Sequence, residues 1–536
     1  MKRQILALSL AFGLLAPVLS PVCWPVSSKS LQVAASTPVR ADGDAQVVQV
    51  LNRLTLGAAP GDFERVKAMG VKAYIQSQLQ PQSIAEAEIV ENQEQAAEII
   101  RAKSSDLIQK YRTAMQQNKT LKKQQAQAQD AAGEMPGKTA GKKGKGGNAN
   151  NERKTYVRDT AGAIIKTRLV RAIYSPRQLQ EVMVDFWFNH FNISINKGLD
   201  HVLVGPYEEQ AIRPNVLGKF RDILGATCYH PAMLFYLDNA QNAAAGVPGP
   251  KGKKSGLNEN YARELMELHT LGVDGGYTQK DVIELARVLT GLSIPLPGLR
   301  RMAVQNNGAN AGYFGQFYPS RHDQGEKVIL GHKIAAKGAG EIEEALDLLA
   351  RHPSTARHIS YKLAQYFVAD DPPPALVDRL TQKFTASDGD IKAVLTTLFD
   401  SPEFFDVRNQ NNKYKSPYRY AISALRATGV QPERYELIAN FLKMQGQPLY
   451  GCLTPDGYKN TKAAWLNSDA LLKRINFATI LGGGAMPQMG ITVSYDQIAD
   501  TVNGGKLSAK TEAVIAKTPA PLKASILLGS PDFMNY

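Results

Sequence analysis

Apolar positions recur every three or four residues along most of this chain, which is the spacing of helices with one buried face. "QVVQVLNRLTLG" predicts a short amphipathic helix closed by Gly57. "PGDFERVKAMG" opens on Pro60, suited to a first helical turn, and closes on Gly70, suited to a C-cap. "VKAYIQSQLQP" is a third helix, stopped by Pro81, and residues 82–117 read as one long polar helix rich in Glu, Gln and Ala. The pattern resumes near Val157. In "IYSPRQLQEVMVDFWFNHF", Ser175 is placed to cap a helix and Pro176 to start it. The same Ser-Pro punctuation recurs at Ser401, Ser416 and Ser530. Helical spacing continues through "NVLGKFRDILGATCYHPAMLFYLDNA", "TQKDVIELARVLTGL", "PSTARHISYKLAQYFVAD" and "YRYAISALRATG". Strand signal is confined to "YFGQFYPSRHDQGEKVILGHKI", which predicts a hairpin with "SRHDQG" as its turn. "PGLRRMAVQNNGANAG" reads as loop. The expected fold is mainly α: a large multi-helix body with one small β-hairpin element and a disordered basic insert.

That insert follows from composition. Residues 118–155 hold nine Lys or Arg against three Asp or Glu, among Gly, Gln and Ala, and cannot bury a core. The formal net charge of +14 therefore owes much to one segment and says little about the folded body. The insert lacks interleaved aromatics, so no nucleic-acid partner is expected. Within it, "AGEMPGKT" (Ala132 to Thr139) matches a permissive phosphate-loop pattern. Its flanks, "QQAQAQDA" and "AGKKGKGG", offer neither the strand nor the helix such a loop needs, so the match is coincidental.

The first residues change the expected location. Lys2 and Arg3 precede an apolar run from Ile5 to Leu19 that Pro17 interrupts, the plan of a secretory signal peptide. The leader is expected to span residues 1–28, with cleavage as late as 41; an uncleaved anchor is the alternative reading. The chain then divides into N-terminal helices (42–117), the basic insert (118–155) and a main helical body (156–536), exported to the periplasm or beyond. No later segment is long and apolar enough to span a bilayer. Once Cys23 has left with the leader, Cys228 and Cys452 remain. An oxidising compartment permits their pairing, and two separate buried thiols are equally consistent with the sequence.

Candidate chemistry centres on "NENYARELMELHTLG", Asn258 to Gly272. At about 100° per residue, Asn260, Arg263, Glu264 and Glu267 share one narrow polar arc on an otherwise apolar helix. Glu264 and Glu267 are three apart, so their carboxylates can converge to bind a divalent metal or to divide acid and base roles. Asn258, Asn260 and Arg263 would then contact substrate. The bland alternative is an ordinary helix face on which Arg263 pairs with Glu267 at i, i+4. His190 lies among aromatics in "DFWFNHF", on a helix where Asp185 and Asn189 are four apart. It reads either as a hydrogen-bonded core residue or as a ligand and proton carrier. His322 and Asp323 are expected in the hairpin turn. If a metal is bound, the donors expected are His190, Glu264, Glu267, His322 and Asp323. No HExxH or GxSxG pattern is present, and the eight histidines are dispersed.

Several long phrases, in order, carry a resemblance: "LNRLTLGAAPGDFERVKAMGVKAYIQSQL", "FWFNHFNIS", "HPAMLFYLDN", "NENYARELMELHTLGVDGGYTQKDVIELARVLTG", "HDQGEKVILG", "HPSTARHISYKLAQYFVADDPP" and "GQPLYGCLTPDGY". Together they resemble the bacterial family catalogued as domain of unknown function 1800, from about Val47 to Phe533. The resemblance implies an exported, mainly helical protein and no defined reaction. It also implies work in the envelope or outside the cell, with a sulfatase-like exported protein or an envelope polymer as partner. The functional expectation is a metal- or carboxylate-dependent enzyme acting on such a polymer. The alternative is a non-catalytic envelope binding or assembly protein.

Overall fold

In a computed structural model of the chain, residues 41–131, 147–247, 256–295, 314–483 and 493–536 are described. The leader, the Ala132–Thr139 lookalike and the expected loop over 297–312 lie outside them.

Local signals set many helix ends. The first helix, Gly43–Leu54, starts where the Asp42 carboxylate accepts from the Ala45 N–H. Its apolar stripe, Val47, Val50, Leu51 and Leu54, enters the core. The next helix, Asp62–Met69, ends on Gly70, whose positive φ of 86° lets its N–H return to the Val66 carbonyl. Ser416 and Ser530 cap the helices that begin at Pro417 and Pro531, as the Ser-Pro pattern predicts. At Ser175 the helix starts later, at Gln178, because the Ser175 hydroxyl instead holds a turn through the Arg177 N–H. The long polar helix expected over 82–117 is broken into shorter pieces before Ser104–Ala131. Helix also reaches into both ends of the basic insert, since Ser104–Ala131 and Gly147–Tyr174 cover residues 118–131 and 147–155. Residues 132–146 are not described.

The strands correct the hairpin. β1 (Leu292–Ser293) pairs antiparallel with β2 (Gln316–Phe317), and β3 (Lys327–Ile329) with β4 (His332–Ile334). The second pair is the hairpin, and its turn is Leu330-Gly331, both at positive φ as a two-residue turn of this twist requires. "SRHDQG" instead links two different sheets. It is not a free turn, because His322 is buried and Asp323 is tied to Arg287.

Gly147–Tyr174 is the organising helix. It packs against the helices Glu94–Arg101, Ser104–Ala131, Asp200–Tyr207, Pro417–Thr428 and Tyr435–Met444, and along Gln178–His190. The helices within 42–117 and those of 156–536 share one core: Val47, Leu54 and Tyr74 belong to the same buried cluster as Leu169, Trp187 and Leu425. Among the described residues no helix is long and apolar enough to cross a membrane. Cys228 and Cys452 are both buried and free, so the permitted disulfide is not formed.

Charge lies inside this core. Arg168, 2% exposed, reaches Glu208 at 2.7 Å, Asp185 at 3.2 Å and the Tyr418 hydroxyl at 3.1 Å. Arg213 pairs with Glu181 at 2.5 Å and with Glu208 at 3.1 Å. Removing one member of such a buried network strands its partners without water. Arg168→Ala is therefore expected to cost about 3–5 kcal/mol of unfolding free energy. Removal of the exposed Arg158 should cost under about 0.5 kcal/mol. Urea unfolding of the two variants measures the contrast, and equal effects would refute it.

Candidate functional site

The Gln178–His190 helix is apolar on most of its surface. Trp187 is fully buried with its indole N–H on the Val216 carbonyl, and Phe186, Phe191 and Phe220 pack around it. Three polar side chains leave the second half of this helix, and each meets a partner from a distant segment. The Asp185 carboxylate accepts from Arg168 and, at 3.3 Å, from the Tyr366 hydroxyl. The Asn189 amide clasps the Tyr458 backbone both ways, donating to its carbonyl at 2.8 Å and accepting from its N–H at 2.7 Å. His190 places Nε2 3.1 Å from the His269 carbonyl and Nδ1 2.9 Å from Lys362 Nζ. A carbonyl only accepts, so Nε2 carries the proton and Nδ1 accepts from the lysine.

The Asn189 clasp draws the segment 448–460 over the end of the helix. Asn192 adds a hydrogen bond to the Thr454 carbonyl at 2.8 Å, and the Ile195 N–H donates to the Tyr450 carbonyl at 2.8 Å. Gly457 makes the approach possible: it sits at φ 69°, and a Cβ there would stand 2.3 Å from the Asn189 carbonyl oxygen. Beneath this roof is a cavity of about 60 Å³, lined by Asp185, Tyr366, Tyr418, Arg419, Tyr450 and Tyr458 among others. The Asp185 side chain remains 28% exposed. Burial pushes its carboxyl above the usual range, and Arg168 and Arg419 offset only part of that rise.

The stretch Asn258–Gly272 approaches the same helix end. Asn258 and Asn260 are occupied locally. Asn258 Oδ1 accepts from the Asn260 N–H at 3.0 Å, and Asn260 Nδ2 donates to the Leu237 carbonyl at 3.2 Å. The helix Asn260–Glu264 then widens into a π turn, Leu265–His269. Tyr261, Ala262, Leu265, Met266 and His269 are buried, while Arg263, Glu264 and Glu267 keep some exposure, as the polar arc predicts. The Arg263–Glu267 pair is not made. The π turn spreads positions four apart around a wider circuit, and Arg263 pairs with Glu259 at 3.3 Å and donates to Gln279 at 2.8 Å. Glu267 accepts from the Tyr277 hydroxyl at 3.1 Å.

Electrostatics separate the carboxylates here. Burial raises Glu264 and the neighbouring Glu267 raises it further; Arg263 opposes them, and Asp456 adds the smallest rise. Burial also acts on Asp456, but hydrogen bonds from Lys459 and Thr454 outweigh it and hold that carboxyl below its usual range. Burial lowers His190 well below the usual imidazole range, His269 to about 3 and His358 to about 4, with Lys362 repelling a proton on each. The His190 ring centre lies 6.2 Å from those of both His269 and His358.

His322 and Asp323 belong to a different cluster. His322 Nε2 is 3.1 Å from Glu341, Nδ1 is 2.8 Å from the Thr290 carbonyl, and Lys327 meets the other Glu341 oxygen at 2.5 Å. Asp323 is held by Arg287 at 2.9 Å. Arg287 sits near the end of the helix Gln279–Val288 whose first residue, Gln279, touches Arg263. Eight residues of helix separate those contacts by about 12 Å. The structure thus gathers His190 and the Glu264–Glu267 stretch around one helix end and leaves His322 and Asp323 elsewhere. Among the described residues no three His, Cys, Asp or Glu side chains are grouped as a metal site requires; Glu264 and Glu267 offer two carboxylate donors.

Sequence reasoning missed Lys362, Tyr366, Asp456 and the role of Asp185. A signal for two of them exists. His358, Lys362 and Tyr366 are spaced by four in "HISYKLAQY", which aligns them on one face of the helix Pro353–Phe367. Asp456 in "TPDGY" reads only as a turn residue.

A profile of the family described as Protein of unknown function (DUF1800) matches residues 49–535. No curated protein and no solved structure matches the chain.

Two outcomes follow from this geometry. Gly457→Ala should detach the roof, lowering stability by about 1–3 kcal/mol and opening 450–460 to limited proteolysis; unchanged cleavage would refute it. The three lowered imidazoles, together with His230, which burial lowers to about 3, and the less shifted His352, refuse protons that the unfolded chain binds below about pH 6.5. Stability should therefore fall as pH drops from about 6.5 towards 4, each proton contributing about 1.4 kcal/mol per pH unit. Urea midpoints between pH 7 and 5 test this, and a His269→Gln variant should show a shallower slope.

Proposed function

The chain belongs to the DUF1800 family, a name that states no activity, and on that premise we propose that it is an exported enzyme using paired carboxylates to hydrolyse or modify an envelope or extracellular polymer. The observation that carries this reading is the split between two neighbouring acids. Glu264 is held towards its acid form by burial and Glu267, while Asp456 is held ionised by Lys459 and Thr454. Environments that push two carboxyl groups apart assign one as general acid and the other as base or electrostatic stabiliser. In this reading Glu264 protonates the leaving group and Asp456 steadies positive charge or orients water.

Export is supported by the basic start and apolar run of residues 2–19. An envelope polymer as substrate, and a sulfatase-like exported protein as partner, belong to the same proposal. A divalent metal held by Glu264 and Glu267, with an oxygen shell completed by water or substrate, would need Glu264 ionised and is therefore the alternative to its acid role.

A non-catalytic binding or assembly role is the second reading. It is favoured by an apolar groove of about 470 Å³ between the helices Tyr435–Met444 and Ser468–Gly482, where Leu437, Met444 and Ile480 stand exposed. Screening the purified mature chain against envelope polysaccharide and peptidoglycan fragments separates the two. Glu264→Gln should lower turnover about 10²–10⁴-fold with unchanged circular dichroism. It should also remove the loss of activity at rising pH that marks a general acid. Turnover unaffected by the substitution would sink the catalytic reading.

A further inference from the structure

Lys362 is the group in this region that the acid–base reading does not use. It lies on the helix Pro353–Phe367, one turn after His358 and one before Tyr366. Its ammonium would have no counter-charge in contact: Lys362 makes no ion pair within the described residues, and the hydrogen bond it makes is to a neutral imidazole nitrogen, His190 Nδ1, at 2.9 Å. The groups that face it come from four segments. His190 approaches from the helix Gln178–His190, His269 from the π turn and His358 from its own helix, all three kept neutral by burial. Lys459 and Asp456 approach from the roof segment, the lysine opposing a charge on Lys362 and the aspartate favouring it. Asp456 is already engaged by Lys459 at 2.8 Å.

Burial and then Lys459 bring the Lys362 amine down to about 8, so about a tenth of it is free base at pH 7. A free-base amine that spends one N–H on His190 Nδ1 retains an unshared electron pair. Part of the residue's surface stays exposed, so it is not sealed off from solvent. Desolvation beside a second cation is the arrangement that makes a lysine a nucleophile.

We infer that Lys362 is a nucleophilic amine whose ligand is a small carbonyl compound, an aldehyde or ketone, bound covalently as an imine. The nitrogen pair attacks the carbonyl carbon, the C–N bond forms and the C=O π bond opens onto oxygen. The nitrogen's two protons pass to that oxygen, which leaves as water, and a C=N bond remains. No oxidant or reductant is consumed, and hydrolysis reverses the step. The inference stands apart from the acid–base reading, because it concerns an amine that reading leaves idle.

The test uses the intact chain with glycolaldehyde and cyanoborohydride, which fixes any imine as a secondary amine, followed by peptide mass spectrometry. At pH 7 Lys362 should be labelled about tenfold faster than exposed lysines such as Lys103 and Lys333, the gain in free-base fraction outweighing its lower basicity. The labelling rate should titrate with a midpoint near 8. Lys459→Ala should move that midpoint upward, since a repelling charge is lost and Asp456 is released. Lys362→Arg should remove the label. Labelling of Lys362 no faster than Lys103 and Lys333 in the unsubstituted chain would overturn the inference, whatever the variants do.

Discussion

The buried guanidinium of Arg168 is the interaction on which the rest of this structure depends. It leaves the central helix Gly147–Tyr174 and meets Glu208, Asp185 and Tyr418, which lie on three other segments. A charge so far from water is tolerable only when its partners are held in place. That requirement fixes the helix Gln178–His190 relative to the central helix. It therefore fixes where Asp185, Asn189 and His190 point.

From that fixed helix the site assembles along a polar seam against Pro353–Phe367. Tyr366 meets Asp185 at one point of the seam, and Lys362 meets His190 further along. Asn189 lies between them in sequence and holds the roof through Tyr458. Burial is the common agent. It raises Asp185 and Glu264 and lowers His190, His269, His358 and Lys362. The shifts of Asp185, Glu264 and Lys362 bring their neutral forms closer to ordinary pH, which is the condition for a group to give or accept a proton there, whereas the three imidazoles are fixed in their neutral form.

The sequence made helices and their ends legible where short-range chemistry decides them. Asp42, Gly70, Ser416 and Ser530 act through atoms within a few residues. It misplaced the hairpin because "SRHDQG" has turn composition, while the Arg287, Thr290 and Glu341 contacts that immobilise it come from other segments. It also missed the π turn, which breaks the i, i+4 geometry expected for Arg263 and Glu267.

By itself, then, the sequence determined the helical class, the family and the polar arc of Glu264 and Glu267, because periodicity and long phrases are properties of neighbouring residues. Tertiary structure alone decided what those groups meet. Lys362 lies 172 residues from His190, and Tyr458 lies 269 from Asn189. No spacing rule reaches across such separations. Desolvation, which sets the character of each group, exists only once the distant segments have closed around it.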